Sequence, residues 1–154
     1  MKLLKTLLVA LILSGSVLAA DNPALSGTWV FKADKSKGVG MMGAVAITTN
    51  ITQSGSILTI HEITVSQGRE QRHNDTYDTG GVAKTNESPM EDASTTVSHW
   101  ENNKLITTWT SAGAVAGTSV VRTETRSVSP DGKSMTVEWS RDGKTSMVMV
   151  FDRE

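Results

Sequence analysis

Residues 134–151 read SMTVEWSRDGKTSMVMVF, and their pairing decides the fold. Two β-prone runs flank Asp142-Gly143. Asp-Gly in that setting is the strongest short hairpin signal, because both residues tolerate the positive φ of a tight turn. Two registers compete. A two-residue loop sets Trp139 against Ser146 and Glu138 against Met147, which mixes both faces. A three-residue loop, Arg141-Asp142-Gly143 with Gly143 as a left-handed bulge, sets Trp139 against Thr145, Val137 against Met147 and Met135 against Met149. That version gathers Met135, Val137, Trp139, Met147, Met149 and Phe151 on one side. A one-residue slip turns every side chain over, so the segregated register is expected, with this face pointing inward.

The same turn chemistry recurs upstream at Gln53-Ser54-Gly55-Ser56, Ser66-Gln67-Gly68-Arg69, Asp78-Thr79-Gly80-Gly81, Glu101-Asn102-Asn103-Lys104 and Ser129-Pro130-Asp131-Gly132. The runs between are rich in Val, Ile, Thr, Trp and Met. Strands are expected at 27–32, 45–53, 56–66, 69–77, 81–85, 94–101, 104–111, 118–128, 133–140 and 145–152, the one at 81–85 being the least patterned. Many short strands joined by tight hairpins give an all-β, antiparallel up-and-down meander. A flat sheet of that length exposes two edges and closure removes both, so a barrel of about 8–10 strands is expected rather than a sandwich.

Two stretches interrupt the pattern. Residues 34–43 form a loop with Met41-Met42 between glycines, either an apolar lid over the barrel mouth or a disordered connection. Residues 86–93 form an acidic, Pro-containing loop. A three-residue loop at Gln53-Ser54-Gly55 puts Ile47, Ile51, Ile57, His61, Ile63 and Val65 together. A two-residue loop at Asn102-Asn103 pairs Trp100 with Leu105 and puts Trp100, Leu105, Thr107 and Trp109 on one side. The expected ligand-binding lining is therefore Trp100, Trp109 and Trp139, with His61, Met147 and Met149.

The N-terminus reads differently. Met1-Lys2-Leu3-Leu4-Lys5 is a basic start, Thr6 to Leu13 is apolar, and Val17-Leu18-Ala19-Ala20 offers small residues for cleavage. This is the order of a secretory signal peptide over residues 1–20, too short to remain as a spanning helix. The expected mature domain is 21–154, periplasmic or secreted. Loss of Lys2 and Lys5 takes the formal charge from −1 to −3. There is no basic stripe for nucleic acid and no later apolar run long enough to span a membrane. The chain has no cysteine, hence no disulfide.

Candidate chemistry is sparse. His61, His73 and His99 are the three histidines, on three expected strands with no ligand-like spacing, so neither a metal nor a cofactor is expected. No serine stands in a nucleophile elbow and no thiol exists, so no enzyme is expected. Arg122, Glu124 and Arg126 alternate along one strand face, with Glu138 nearby. A three-residue loop at Pro130-Asp131-Gly132 puts them outside the barrel and a four-residue loop puts them inside. The cost of burying charge favours outside.

Leu25-Ser26-Gly27-Thr28-Trp29, Ile51-Thr52-Gln53-Ser54-Gly55, the Trp100-to-Leu105 hairpin and Ser129-Pro130-Asp131-Gly132-Lys133 together resemble a family of bacterial exported lipocalin-like domains. Gly27-Thr28-Trp29 is similar to the Gly-x-Trp opening of calycin barrels. The resemblance implies that Trp29 packs at the closed end, covered by Arg153 from the last strand, and that both are structural. The resemblance bears on fold more than on activity; the barrel with walls of Trp100, Trp109 and Trp139 is expected to hold a small apolar or amphipathic molecule. The alternative is a non-catalytic interaction module with a filled core, whose loops at 34–43 and 86–93 bind another envelope or extracellular protein. The sequence departs from true lipocalins in lacking a cysteine pair and a helix after the barrel.

Overall fold

A computed structural model describes residues 22–87 and 93–154, so the N-terminal signal reading lies outside the described residues. The described residues form ten strands: β1 (Gly27–Phe31), β2 (Ala46–Ser54), β3 (Ile57–Ser66), β4 (Arg69–Asp78), β5 (Lys84–Glu87), β6 (Ala93–Glu101), β7 (Lys104–Ala112), β8 (Ser119–Val128), β9 (Ser134–Arg141) and β10 (Lys144–Arg153). They make one sheet in the order β4-β3-β2-β1-β10-β9-β8-β7-β6-β5. Trp29 of β1 stands opposite both Thr49 of β2 and Arg153 of β10, so the first and last strands meet and the meander closes. The remaining seam lies between β4 and β5. There the Asn86 side chain accepts from the Thr76 N–H (2.9 Å) and donates to the Thr76 carbonyl (3.0 Å). One amide thus takes the place of a ladder pair, and the edges are not left open as templates. The fold is a nearly closed antiparallel up-and-down barrel.

The last hairpin corrects the expected register but keeps its face. The loop is the two-residue Asp142-Gly143 turn, with φ of 53° and 72° and Arg141 opposite Lys144. A bulge between Thr145 and Met147 then inserts one residue, so Trp139 meets Met147, Val137 meets Met149 and Met135 meets Phe151. An extra residue on one strand restores the parity that the shorter loop would have broken. The first hairpin has no such rescue. Ser54 pairs with Ile57 across Gly55-Ser56, so Ile51 meets Ile60 instead of Ile57, an odd shift of three residues from the expected register that turns β3 over. Ile47, Thr49 and Ile51 therefore share the interior with Leu58 and Ile60, while His61, Ile63 and Val65 turn outward. Both faces of β3 carry branched apolar residues, so hydrophobicity could not choose between them. The Asn102-Asn103 turn pairs Trp100 with Leu105 as expected.

Three further expectations change. The strand expected at 81–85 lies at Lys84–Glu87, because Gly81 sits in the preceding turn. Of the loop expected at 86–93, Asn86 and Glu87 belong to β5 and Ala93 to β6, while 88–92 lie outside the described residues. The stretch after β1 is not a plain loop. It forms two 3-10 turns, Ala33–Lys35 and Gly40–Ala44, and its Lys37 exchanges backbone hydrogen bonds with Val148 at 2.8 and 2.9 Å. Met42 packs against the core, and Met41 beside it is 92% exposed.

The barrel has two unlike ends. Near Gly27, the Gly55-Ser56 and Asn102-Asn103 turns and the 130–133 connection, Leu25 and Trp29 are fully buried. The Trp29 indole N–H donates to the Leu25 carbonyl at 2.8 Å. The Arg153 guanidinium lies 4.2 Å from the Trp29 ring and donates to the Gly132, Ser26 and Ala24 carbonyls at 2.8, 2.8 and 2.9 Å. A Cβ on Gly27 would meet Arg153 Nη1 at 2.8 Å, so the glycine makes room for the guanidinium. This is the closed end. The opposite end carries the 67–68, 113–118 and 142–143 turns and the 3-10 segment.

Candidate functional site

Inward-facing residues divide the barrel lining into two unlike walls. From β9 through β10 and β1 to β2 it is apolar: Met135, Val137, Met149, Phe151, Trp29, Phe31, Ile47 and Ile51 are buried there. Phe31 and Phe151 pack with ring centroids 5.6 Å apart. From β4 through β8 it is largely polar. Asp75, Asn86, Ser94, Thr96, Ser98, Thr107, Ser111, Glu124 and Arg126 are all buried. Hydroxyl pairing meets part of the cost, as in the Ser98–Thr107 contact at 2.8 Å. Tyr77, Trp109 and Leu105 supply apolar surface on this polar side.

Arg122, Glu124 and Arg126 face inward, not outward as the cost of burying charge suggested. The reason is the connection after β8. The Ser129 N–H bonds the Ser134 carbonyl at 2.8 Å around a four-residue loop, and Val128 pairs with Met135. The buried charges are tolerated because they answer one another. Glu124, 1% exposed, lies 2.5 Å from Arg126 Nη1, and the guanidinium sits 5.4 Å over the Tyr77 ring. Asp75 receives the Tyr77 hydroxyl at 3.1 Å and lies 2.9 Å from His73 Nε2.

The electrostatics of this cluster follow from burial. Desolvation pushes the Glu124 carboxyl above its ordinary range, against the pull of Arg126, and Asp75 and Glu62 add to the push. Desolvation likewise raises Asp75, opposed by His73, and Glu62, opposed by Arg126 and His73. Tyr77 is driven well above a normal phenol by burial, with Glu124 adding to it. Burial works to lower Arg126, yet Glu124 and Tyr77 outweigh it and the guanidinium is held more firmly protonated. Three carboxyls thus share the interior with Arg126 and, two inward-facing positions nearer the open end, Arg122.

The residues expected to bind ligand do not form one group. Trp109 and Trp139 meet at 5.6 Å, and Tyr77 meets Trp109 edge-on at 5.9 Å. Met147 is paired with Trp139 toward the open end, and both are only partly buried. Met149 is one step deeper and belongs to the packed core. Trp100 faces inward but stands opposite Leu105, four residues down β7 from Trp109, at the closed end, where it lines a cleft of about 540 Å3 with Asn22, Asn102 and Asn103. His61 is on the outer face, its Nδ1 against the Asn74 side chain, which corrects its expected inward placement. At the open end a cleft of about 410 Å3 is lined by Glu62, Thr64, Gln71, Arg72 and His73. Sequence reasoning missed Glu62, read His73 to Asp78 as a solvated strand end in preference to a cation-binding rim although Asp75 and Tyr77 are buried, and placed Glu124 and Arg126 outside. The available signal was the alternation of Asp75 with Tyr77 and of Glu124 with Arg126. Among the described residues no group of three or more His, Asp or Glu is placed to hold a metal ion.

No family model matches the sequence, and no curated protein matches it. Solved structures do. Human cRBP IV matches over 85% of this chain and 98% of its own, with 18% identity and a TM-score of 0.63. A REP1-NXSQ fatty acid transporter matches over 84% and 96%, with 17% identity and a TM-score of 0.59. The fatty-acid-binding protein 1 of Echinococcus granulosus matches over 84% and 96%, with 14% identity and a TM-score of 0.59. At these identities the likeness is one of fold: the same antiparallel up-and-down β-barrel.

Proposed function

We propose that this protein holds a small amphipathic molecule inside the open half of its barrel, without catalysis. The observation that carries the reading is the two-sided lining. An apolar wall from β9 to β2 faces a polar wall from β4 to β8, and the inward apolar groups of β9 and β10 toward the open end, Trp139 and Met147, remain partly accessible. Burial of apolar ligand surface against such a wall contributes about 25 cal/mol per Å2 removed from water. The polar wall then orients the other end of the molecule. The fatty-acid names of two of the similar structures support an apolar ligand. The N-terminal basic-apolar-small pattern supports export to a periplasmic or secreted location, and the sequence pieces quoted above support a place among exported bacterial lipocalin-like domains.

The interaction-module reading draws on a different observation. Tyr77, Trp109 and Trp139 are in contact in series across the interior, which fills part of the barrel with its own side chains. Ligand titration separates the two. Intrinsic tryptophan emission is followed while decanol, decanoate, decylamine and naphthyl compounds are added. A saturable shift that is largely lost in Trp139→Leu is expected. No response to any member of the panel overturns the ligand-holding reading in favour of the filled module.

A further inference from the structure

The polar groups around the open-end cleft are not equally satisfied. Arg72 is paired with Glu70 at 2.7 Å, and His73 is paired with Asp75. Glu62 has only a long contact, 3.4 Å, from the Thr64 hydroxyl. Directly across from Glu62 in the β2–β3 register stands Thr49, whose residue is 4% exposed and whose hydroxyl has no hydrogen-bond partner. A buried hydroxyl left unpaired is costly, so one kept in the interior beside a carboxyl calls for a partner to explain it. Glu62 lines the cleft, and Thr49 stands across the strand pair from it on the same inner face, behind the cleft wall.

The groups facing Glu62 decide what that partner is. On β4 are His73 and Asp75, and on β8 are Arg122, Glu124 and Arg126. Arg126 is held by Glu124 at 2.5 Å and by the Tyr77 face, and Arg122 has interactions of its own. An anionic head group would enter beside Glu62 with Asp75 and Glu124 behind it, and like charges in a partly desolvated site repel strongly. A cation meets the opposite situation. Its N–H groups have Glu62 and the Thr49 hydroxyl as acceptors, and the Trp109–Trp139 pair supplies indole faces nearby in the same interior.

We propose that the polar end of the ligand is an ammonium group seated against Glu62 and Thr49, so that the barrel takes amphipathic amines in preference to carboxylic acids. This rests on the ligand-holding reading above. The shape is that of the fatty-acid carriers, but the interior charge is arranged for the opposite sign.

The test compares decylamine, decanoate and decanol on the full chain at neutral pH, with the ratio of amine to acid affinity as the readout. The amine is expected to bind at least about tenfold more tightly than the acid. Glu62→Gln should bring that ratio down toward one, and Glu62→Asp, which keeps the charge, should largely preserve it. A ratio that tracks the charge at position 62 is not mimicked by a variant that merely folds poorly. Decanoate binding as tightly as decylamine, or a ratio unchanged in Glu62→Gln, overturns the amine preference and leaves the ligand-holding reading standing. Failure of all three probes to bind overturns that earlier reading, and this one with it.

Discussion

The two walls of this barrel solve the same packing problem by different physics. Along β9, β10, β1 and β2 the interior is closed by side chains with nothing to satisfy, and its stability comes from area and fit. Along β4 to β8 it is closed by hydroxyls, amides, carboxyls and a guanidinium, each tolerated only because a neighbour answers it. The difference teaches where function belongs. An apolar wall gains little from specific placement, whereas a wall of mutually dependent charges is marginal for stability and able to recognise a polar group. The closed end shows that the fold can satisfy a charge fully when it needs to, since Arg153 reaches three backbone carbonyls. Midway along β2 and β3, Thr49 and Glu62 are left short of partners.

Breaking the apolar wall should cost most. Phe151→Ala removes a buried ring that packs on Phe31, and a loss of about 3–5 kcal/mol is expected in urea or guanidinium denaturation. A loss under about 1 kcal/mol would mean that this wall is not tightly packed.

The charged wall should respond in a non-additive way. Arg126→Met strands the buried Glu124 and should destabilise by about 3 kcal/mol at neutral pH, somewhat less than the upper range because Glu124 can take up a proton. Adding Glu124→Leu should recover most of that loss, since an apolar pair has no uncompensated charge. Equal stabilities for the single and double variants would show that the two groups do not act as a pair.

The smallest effect is a pH dependence, and its sign follows from burial. Glu62, Asp75 and Glu124 hold their protons more tightly in the folded barrel than in the unfolded chain. The folded state therefore binds more protons than the unfolded one between the ordinary carboxyl values, 3.8 and 4.5, and the raised ones. Stability should rise as pH falls from neutral through that window. Asp131 and Asp152 act in the other direction: their hydrogen bonds to Ser129 and Lys35 lower them, and that stability is lost only on descent through and below the ordinary 3.8. The urea midpoint should be higher near about pH 5 than near neutrality, and the triple Gln/Asn/Gln variant should flatten the trend. A midpoint that falls over this interval in the parent protein would contradict the buried-acid account.

The sequence by itself determined the meander. Turn chemistry at Asp142-Gly143, Asn102-Asn103 and Gln67-Gly68 is local, and so is the β-prone character of the runs between, so strand number and most boundaries were legible. It also determined the inner face of β9 and β10, because β9 alternates cleanly, with Met135, Val137 and Trp139 on one side and Ser134, Thr136, Glu138 and Ser140 on the other. It did not determine which side of β3 or β8 turns inward. Ile57, His61, Ile63 and Val65 compete with Leu58 and Ile60 on nearly even terms, and one residue of loop length moves Arg122, Glu124 and Arg126 from one face to the other. Only closure of the barrel decided those registers. It brings Tyr77, Trp109, Glu124 and Arg126 from β4, β7 and β8 into one interior, where the partners that make a buried charge tolerable come from strands far apart in the chain. Hydrophobic alternation along a strand is a local signal, whereas the satisfaction of a buried charge is a property of the assembled interior.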